Sequence, residues 1–168
     1  DYLHADFLKF HRVRLALGLH PLESVRHKQY YSMFRRLVDK TSFIGEVGLD
    51  FSQQGLATKN IQIESFRFVL ECIQKKVKIL SVHSRGAETA VLEMLIQYGA
   101  QNVIFHWYSG SMKTVGKIIE QGYYFSINSA MLGSQKGQAI IKAIPQSRIL
   151  LETDGPFIKI KGHQAKPT

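Results

Sequence analysis

The sequence predicts an α/β fold, a parallel sheet with helices packed outside it. Three observations carry this reading. Short apolar runs of strand length recur along the 168 residues. Segments with apolar residues at three- and four-residue spacing separate each run from the next. The connections are long enough for crossovers between parallel strands. The expected strands cover residues 13–18, 43–47, 77–82, 102–105, 123–127 and 148–151.

The elements follow in order. The run 13–18 leads into Gly18-Leu19-His20-Pro21, whose Gly and Pro flanks suggest a rigid strand-to-loop corner. A helix over 23–38 is expected from Val25, Met33, Phe34 and Leu37. After 43–47, a helix over 58–76 carries Phe66, Val69, Leu70 and Ile73 on one face. After 77–82, Val91, Met94 and Leu95 mark a helix over 87–98, and Gly99 supplies the left-handed residue wanted at its end. After 102–105, Val115, Ile118 and Ile119 mark 112–121, again followed by a glycine, Gly122. After 123–127 comes a helix over 135–143 with Ile140 and Ile141, stopped by Pro145. Residues 159–168, basic with Gly and Pro, read as a loose tail or the start of a missing segment.

A barrel of parallel strands needs eight strand–helix units of about 30 residues each, and six strands are expected here. The pattern fits an open six-stranded sheet or an incomplete barrel, with 1–168 as a single domain. The composition, 45% hydrophobic and 21% charged, is that of an ordinary globular protein. No apolar run approaches the roughly 20 residues that span a bilayer, and no signal-like segment opens the sequence. The single cysteine, Cys72, excludes an internal disulfide framework and falls on an apolar helix face as a small core residue. A cytoplasmic chain without a membrane segment is the expectation. The formal charge of +9 attracts polyanions, nucleic acid first, or simply solvates a basic surface. The basic residues form no dense block.

Residues able to hold a metal stand just past the ends of four separate apolar runs: Glu46, His83, His106 and Asp154. In a parallel barrel the carboxyl ends of the strands share one rim, so such residues would meet there. Two His with two carboxylates suit zinc, manganese or magnesium. Glu46, in Gly45-Glu46-Val47-Gly48-Leu49-Asp50, is an acid between glycines in an apolar strand, and its burial demands a cation or strong donors. Asp50 beyond it reads as an orienting partner or a helix cap. His20 is a structural residue or a functional one at the same rim. In His83-Ser84-Arg85, the Arg85 fork suits a phosphate or an ion pair with a neighbouring carboxylate. In His106-Trp107-Tyr108-Ser109-Gly110, the two aromatics suit stacking on a base or sugar, or packing between strand and helix. Ser109 and Gly110 precede a helix start, where free amides favour an anion. In Glu152-Thr153-Asp154-Gly155-Pro156, a carboxylate can hold a metal or orient a water nucleophile.

Taken together these segments resemble the TatD family of metal-dependent deoxyribonucleases, in the amidohydrolase-like TIM-barrel group. The matching pieces are Gly18 to Pro21, Gly45 to Asp50, His83 to Arg85, His106 to Gly110 and Glu152 to Pro156, in the family's order. The variants Trp107-Tyr108 and Gly155-Pro156, with the segment 130–137, are similar to TatD-like subunits of Qat-type anti-phage defence systems, which implies protein partners.

The resemblance implies an eight-stranded barrel and a two-metal centre of Mg, Mn or Zn. Glu46 would bridge the ions, His83 and His106 would bind one, and Asp154 the other. His20 would contact the scissile phosphate or a bound water, so that Glu46, Asp154 and His20 are the implied catalytic residues. From the residue readings above, Arg85, Ser109 and Tyr108 join His20 as substrate-binding candidates. The implied reaction is hydrolysis of DNA phosphodiesters, on single strands or 3′ ends in the manner of a 3′-exonuclease. One element has no counterpart: the family's first strand ends in His-x-His, and neither His4 nor His11 fits that pattern. The expectation is a barrel lacking its first two strands and last helix. Two other readings stay open, a metal hydrolase of a small amide, ester or lactone, and a non-catalytic or partner-dependent subunit of a defence complex.

Overall fold

The structure, a computed structural model, describes residues 13–155, 157–160 and 163–164. His4, His11 and Pro156 lie outside the described residues. The chain divides into two compact units, one ending at Val103 and the next beginning at Ile104.

In the first unit, the expected strand over 13–18 reduces to one parallel bridge, Leu17 to Ile44. The Leu17 N–H donates to the Phe43 carbonyl at 3.0 Å and the Gly45 N–H to the Leu17 carbonyl at 3.1 Å. Pairing stops there because His20 caps a 3-10 turn, Pro21–Arg26, that draws the chain away. This turn continues into helix α1, His27–Leu37, and a second turn, Val38–Lys40. The tight entry breaks the predicted helical phase: Val25, expected on the buried face, is 65% exposed, while Phe34 and Leu37 are buried.

Strand β1, Phe43–Gly48, is followed by α2, Lys59–Ile73. Then come β2, Ile79–His83, and α3, Glu88–Gln97. The predicted strand start at Val77 is corrected by two residues, and Val77 itself is exposed. Helix α2 buries Phe66, Val69, Leu70 and Ile73, and α3 buries Val91 and Leu95, as their spacing predicts. Phe68 joins α1 to α2, stacked on Tyr31 with centroids 3.8 Å apart and edge-on to Phe34 at 5.8 Å. Cys72 is half-buried rather than a full core residue, and burial pushes its thiol pKa up, away from nucleophile chemistry. Lys78 is buried, its ammonium donating to the carbonyls of Val38 at 2.7 Å and Thr41 at 2.6 Å.

The second unit takes in most of β3, Val103–His106, then α4, Met112–Glu120, and β4, Tyr124–Ile127. A short helix α5, Ser129–Leu132, which the apolar spacing does not predict, precedes α6, Gln135–Ala143. Its signal is Asn128, whose side chain caps it by accepting from the Met131 N–H at 3.1 Å. Strand β5, Ile149–Leu151, completes the sheet. Within 159–168, expected as a loose tail or the start of a missing segment, the described residues form an antiparallel pair, β6 (Lys159–Ile160) with β7 (His163–Gln164). An aromatic cluster of Phe105, Tyr108, Tyr123 and Phe125 lies in the core with Val115, Ile118 and Ile140.

The sheet has five strands in sequence order, β1-β2-β3-β4-β5, and every pairing described is parallel. That is the α/β class the alternation predicts. Both predicted glycine stops hold. Gly99 (φ +62°) donates to the Ile96 carbonyl and Ala100 to that of Leu95; Gly122 (φ +73°) and Tyr123 repeat the arrangement on Ile119 and Ile118.

Candidate functional site

Glu46 stands inside β1 rather than past its end, and a β-bulge puts it to use. The register pairs Ile44 with Leu80 and Val47 with Val82, so Gly45 and Glu46 together face Ser81. Bulges of this kind re-aim a side chain beside a site. Glycine is needed on either side for close approach. A Cβ at Gly18 would lie 2.5 Å from the Gly45 carbonyl oxygen, and one at Gly48 only 2.1 Å from that of His83.

Around this bulge, His20, Glu46 and His83 form a group whose ligand atoms all lie within 4.8 Å of one another. His20 Nε2 is 3.6 Å from Glu46 Oε2, and His83 Nδ1 is 3.7 Å from Glu46 Oε1. Ligand atoms on a tetrahedral ion with bonds near 2.1 Å are about 3.4 Å apart, so the spacing and the donor types fit a divalent metal.

The two histidines are prepared differently. His83, the last residue of β2, holds Asp50 Oδ2 at 2.8 Å through Nε2, which leaves Nδ1 toward Glu46. Asp50 is 1% exposed and fixed on both oxygens, Oδ1 accepting from the Ser52 N–H at 2.9 Å and from the Ser52 hydroxyl. Gln62 of α2 braces the loop, accepting from the Asp50 N–H at 2.7 Å and donating to the Gly55 carbonyl at 2.7 Å. Burial pulls the His83 pKa down, but hydrogen bonds and charge from Glu46 and Asp50 outweigh it and raise the ring above its ordinary value. Burial also opposes ionisation of Asp50, yet its bonds to Ser52 and His83 leave the pKa lowered.

His20 is instead pulled below its ordinary value by burial, with Glu46 opposing. Its Nδ1 accepts from the Leu22 N–H at 3.4 Å. A neutral ring that accepts at Nδ1 carries its proton on Nε2, the atom facing Glu46. In that tautomer His20 is a donor. To become a ligand through Nε2 it must surrender the Leu22 cap.

A second cluster is built in the other unit. His106, ending β3, holds Glu152 Oε2 at 2.5 Å through Nδ1 and presents Nε2 to Asp154 Oδ1 at 3.1 Å. Glu152, just past β5, has a role that its place in the sequence alone does not assign. The Ser126 hydroxyl donates to its Oε2, and Asn128 Nδ2 donates to Oε1 at 2.9 Å. Its sequence signal is an acid directly after an apolar strand and two residues before Asp154.

Of the substrate-binding candidates, Arg85 is exposed, and among the described residues its guanidinium has no acidic partner. The ion-pair alternative is therefore not realised there. Ser109 is exposed, with its carbonyl accepting from Lys136 Nζ at 2.5 Å. Tyr108 is a correction: it is 1% exposed, packs edge-on to Phe125 at 5.6 Å and donates its hydroxyl to the Ser111 carbonyl at 2.9 Å. These contacts make it a core residue. Its neighbour Trp107 is exposed, at φ +38°. Asp154 is also left-handed, at φ +47°. That region costs a non-glycine residue about 1–2 kcal/mol, least for Asp and most for a bulky side chain.

Residues 6–168 match the family model described as TatD related DNase. The chain belongs to that family. The putative deoxyribonuclease TATDN3 of Mus musculus is 30% identical over 156 residues, which is 84% of this chain and 53% of that protein. The deoxyribonuclease TATDN3 of Homo sapiens is 30% identical over the same length, 57% of that protein. The chain thus spans little more than half the length of these TatD relatives. Among solved structures, the TatD homologue YJJV of Escherichia coli K12 has the same fold, with a TM-score of 0.76 at 24% identity over 96% of this chain and 66% of that one. Among the described residues, no helix is long and apolar enough to cross a membrane.

Proposed function

We propose that this chain carries metal-dependent hydrolysis of DNA phosphodiesters, trimming from a 3′ end and using two divalent ions. The observation that carries the reading is the Glu46–His83 pair, in which a buried Asp50 presents His83 Nδ1 toward a carboxylate whose spacing suits an ion. Bound there, a divalent ion supplies Lewis-acid stabilisation of phosphate charge and a water acidic enough to attack at neutral pH. His106 and Asp154 offer donors for the second ion. His20, neutral because burial disfavours its charge, turns its Nε2–H to a phosphate oxygen or a water. Arg85 receives a non-bridging phosphate oxygen through its fork. The positive charge draws the polyanion in.

The test is cleavage of 5′-labelled single-stranded and duplex DNA by the chain in Mg²⁺ or Mn²⁺. A ladder shortening from the 3′ end, stopped by phosphorothioate linkages at that end, is the expected product. Glu46→Ala should lower the rate on the order of a thousandfold. No cleavage with any ion would end the nuclease reading. Hydrolysis of an amide, ester or lactone in its place would replace it with the small-substrate one.

A further inference from the structure

We propose that Trp107 is a base-stacking platform that seats one unpaired nucleobase of a single-stranded polynucleotide beside His106; the inference rests on the DNA reading above. The sequence offers two adjacent aromatics after His106, and the structure separates their tasks. Tyr108 is fixed in the core, edge-on to Phe125 and hydrogen-bonded to Ser111. Trp107 keeps 38% of its surface exposed. The segment is pinned on both sides of it, by His106 on Glu152 and Asp154 and by Tyr108 in the core.

The backbone between these anchors adopts φ +38°, a conformation costly for a bulky side chain and cheap for glycine. Packing alone does not account for a tryptophan there, because the residue stays 38% exposed. A ligand does: such outliers cluster where a site needs a side chain aimed in one direction. The surroundings suit a nucleotide. Lys136, on α6, donates through Nζ to the Ser109 carbonyl of this loop at 2.5 Å, which puts an ammonium there for a flanking phosphate. An indole face takes any base, so the contact confers grip on unpaired strands without sequence preference.

Trp107 is the chain's single tryptophan, so indole emission reports this residue alone. The full chain is titrated in EDTA, which prevents cleavage, with dye-labelled oligothymidylate and with an abasic deoxyribose-phosphate strand of equal length. Saturable quenching by the thymidylate is expected, with affinity about tenfold above the abasic strand. Trp107→Ala should lose about tenfold in affinity and Trp107→Phe about threefold or less, with circular dichroism confirming the fold of each. The wild-type titration depends on neither variant. Binding seen by dye anisotropy with unchanged indole emission, or equal affinity and quenching by the abasic strand, overturns the stacking and leaves the nuclease reading standing. No binding by either readout overturns the stacking, and cleavage in Mg²⁺ or Mn²⁺ decides the nuclease reading separately.

Discussion

The two histidine clusters solve one problem with opposite ring atoms. In each, a histidine closes a parallel strand and a carboxylate grips one nitrogen, so that the other is presented to a second carboxylate. His83 is gripped at Nε2 by Asp50 and presents Nδ1, whereas His106 is gripped at Nδ1 by Glu152 and presents Nε2. The gripping acids are themselves held by a serine hydroxyl, Ser52 in one case and Ser126 in the other. The difference lies in how the second carboxylate arrives. Glu46 is delivered by a strand bulge between glycines, while Asp154 sits three residues beyond Leu151 in a left-handed turn. Rigid strand geometry controls the first; loop conformation controls the second.

The sharpest way to break this contrast is to fill the space beside the bulge. Gly48→Ala puts a methyl group 2.1 Å from the His83 carbonyl oxygen, so the chain should lose about 3 kcal/mol of stability by thermal or urea unfolding. Retained stability would mean that the close approach of β1 and β2 is not required. Next come the gripping acids. Asp50→Asn and Glu152→Gln should each weaken Mn²⁺ binding about 10- to 100-fold by calorimetry. Nitrogen-15 NMR should show the tautomer changing only at the histidine each acid holds. Equal changes at both rings would refute the separate control of the two clusters.

Within the first cluster, the histidines should titrate on opposite sides of 6.5 in the metal-free chain, His83 above and His20 below. The signs follow from linkage. His83, with its raised pKa, contributes stability that is complete below 6.5 and disappears as pH rises through its folded value. His20 favours the neutral form, so its share is complete above 6.5 and is lost as pH falls through its folded value. An NMR titration placing both on one side would contradict the geometry. The smallest effect on metal binding belongs to His20→Ala. If His20 donates rather than ligates, Mn²⁺ affinity shifts by only about threefold while DNA turnover falls about 100-fold. A collapse of affinity would make it a ligand.

Much of this was legible from residue order. The three- and four-residue spacing of Phe66, Val69, Leu70 and Ile73 identifies α2, and the glycines at 99 and 122 mark where two helices stop. His83 and His106 close β2 and β3, at the strand ends where the pattern puts them. What escaped depends on register and on partners remote in sequence. The bulge at Glu46 exists only relative to β2. Glu152 acquires meaning from Ser126, Asn128 and His106, none of them near it along the chain. Tyr108 and Trp107 look alike as letters and part only when one enters the aromatic core. Val25 fails for a different reason: a 3-10 turn advances each residue by more than an α-helix does, and the apolar stripe slips out of phase.

Lys78 belongs to the 22 basic residues that give the chain its positive charge, but its ammonium is folded inward against Val38 and Thr41. An amine-reactive reagent would therefore modify the surface lysines first and reach Lys78 only when the seam between the end of α1 and β1 opens. Its rate of acylation is a built-in clock for that local opening, readable by mass spectrometry before the rest of the chain unfolds.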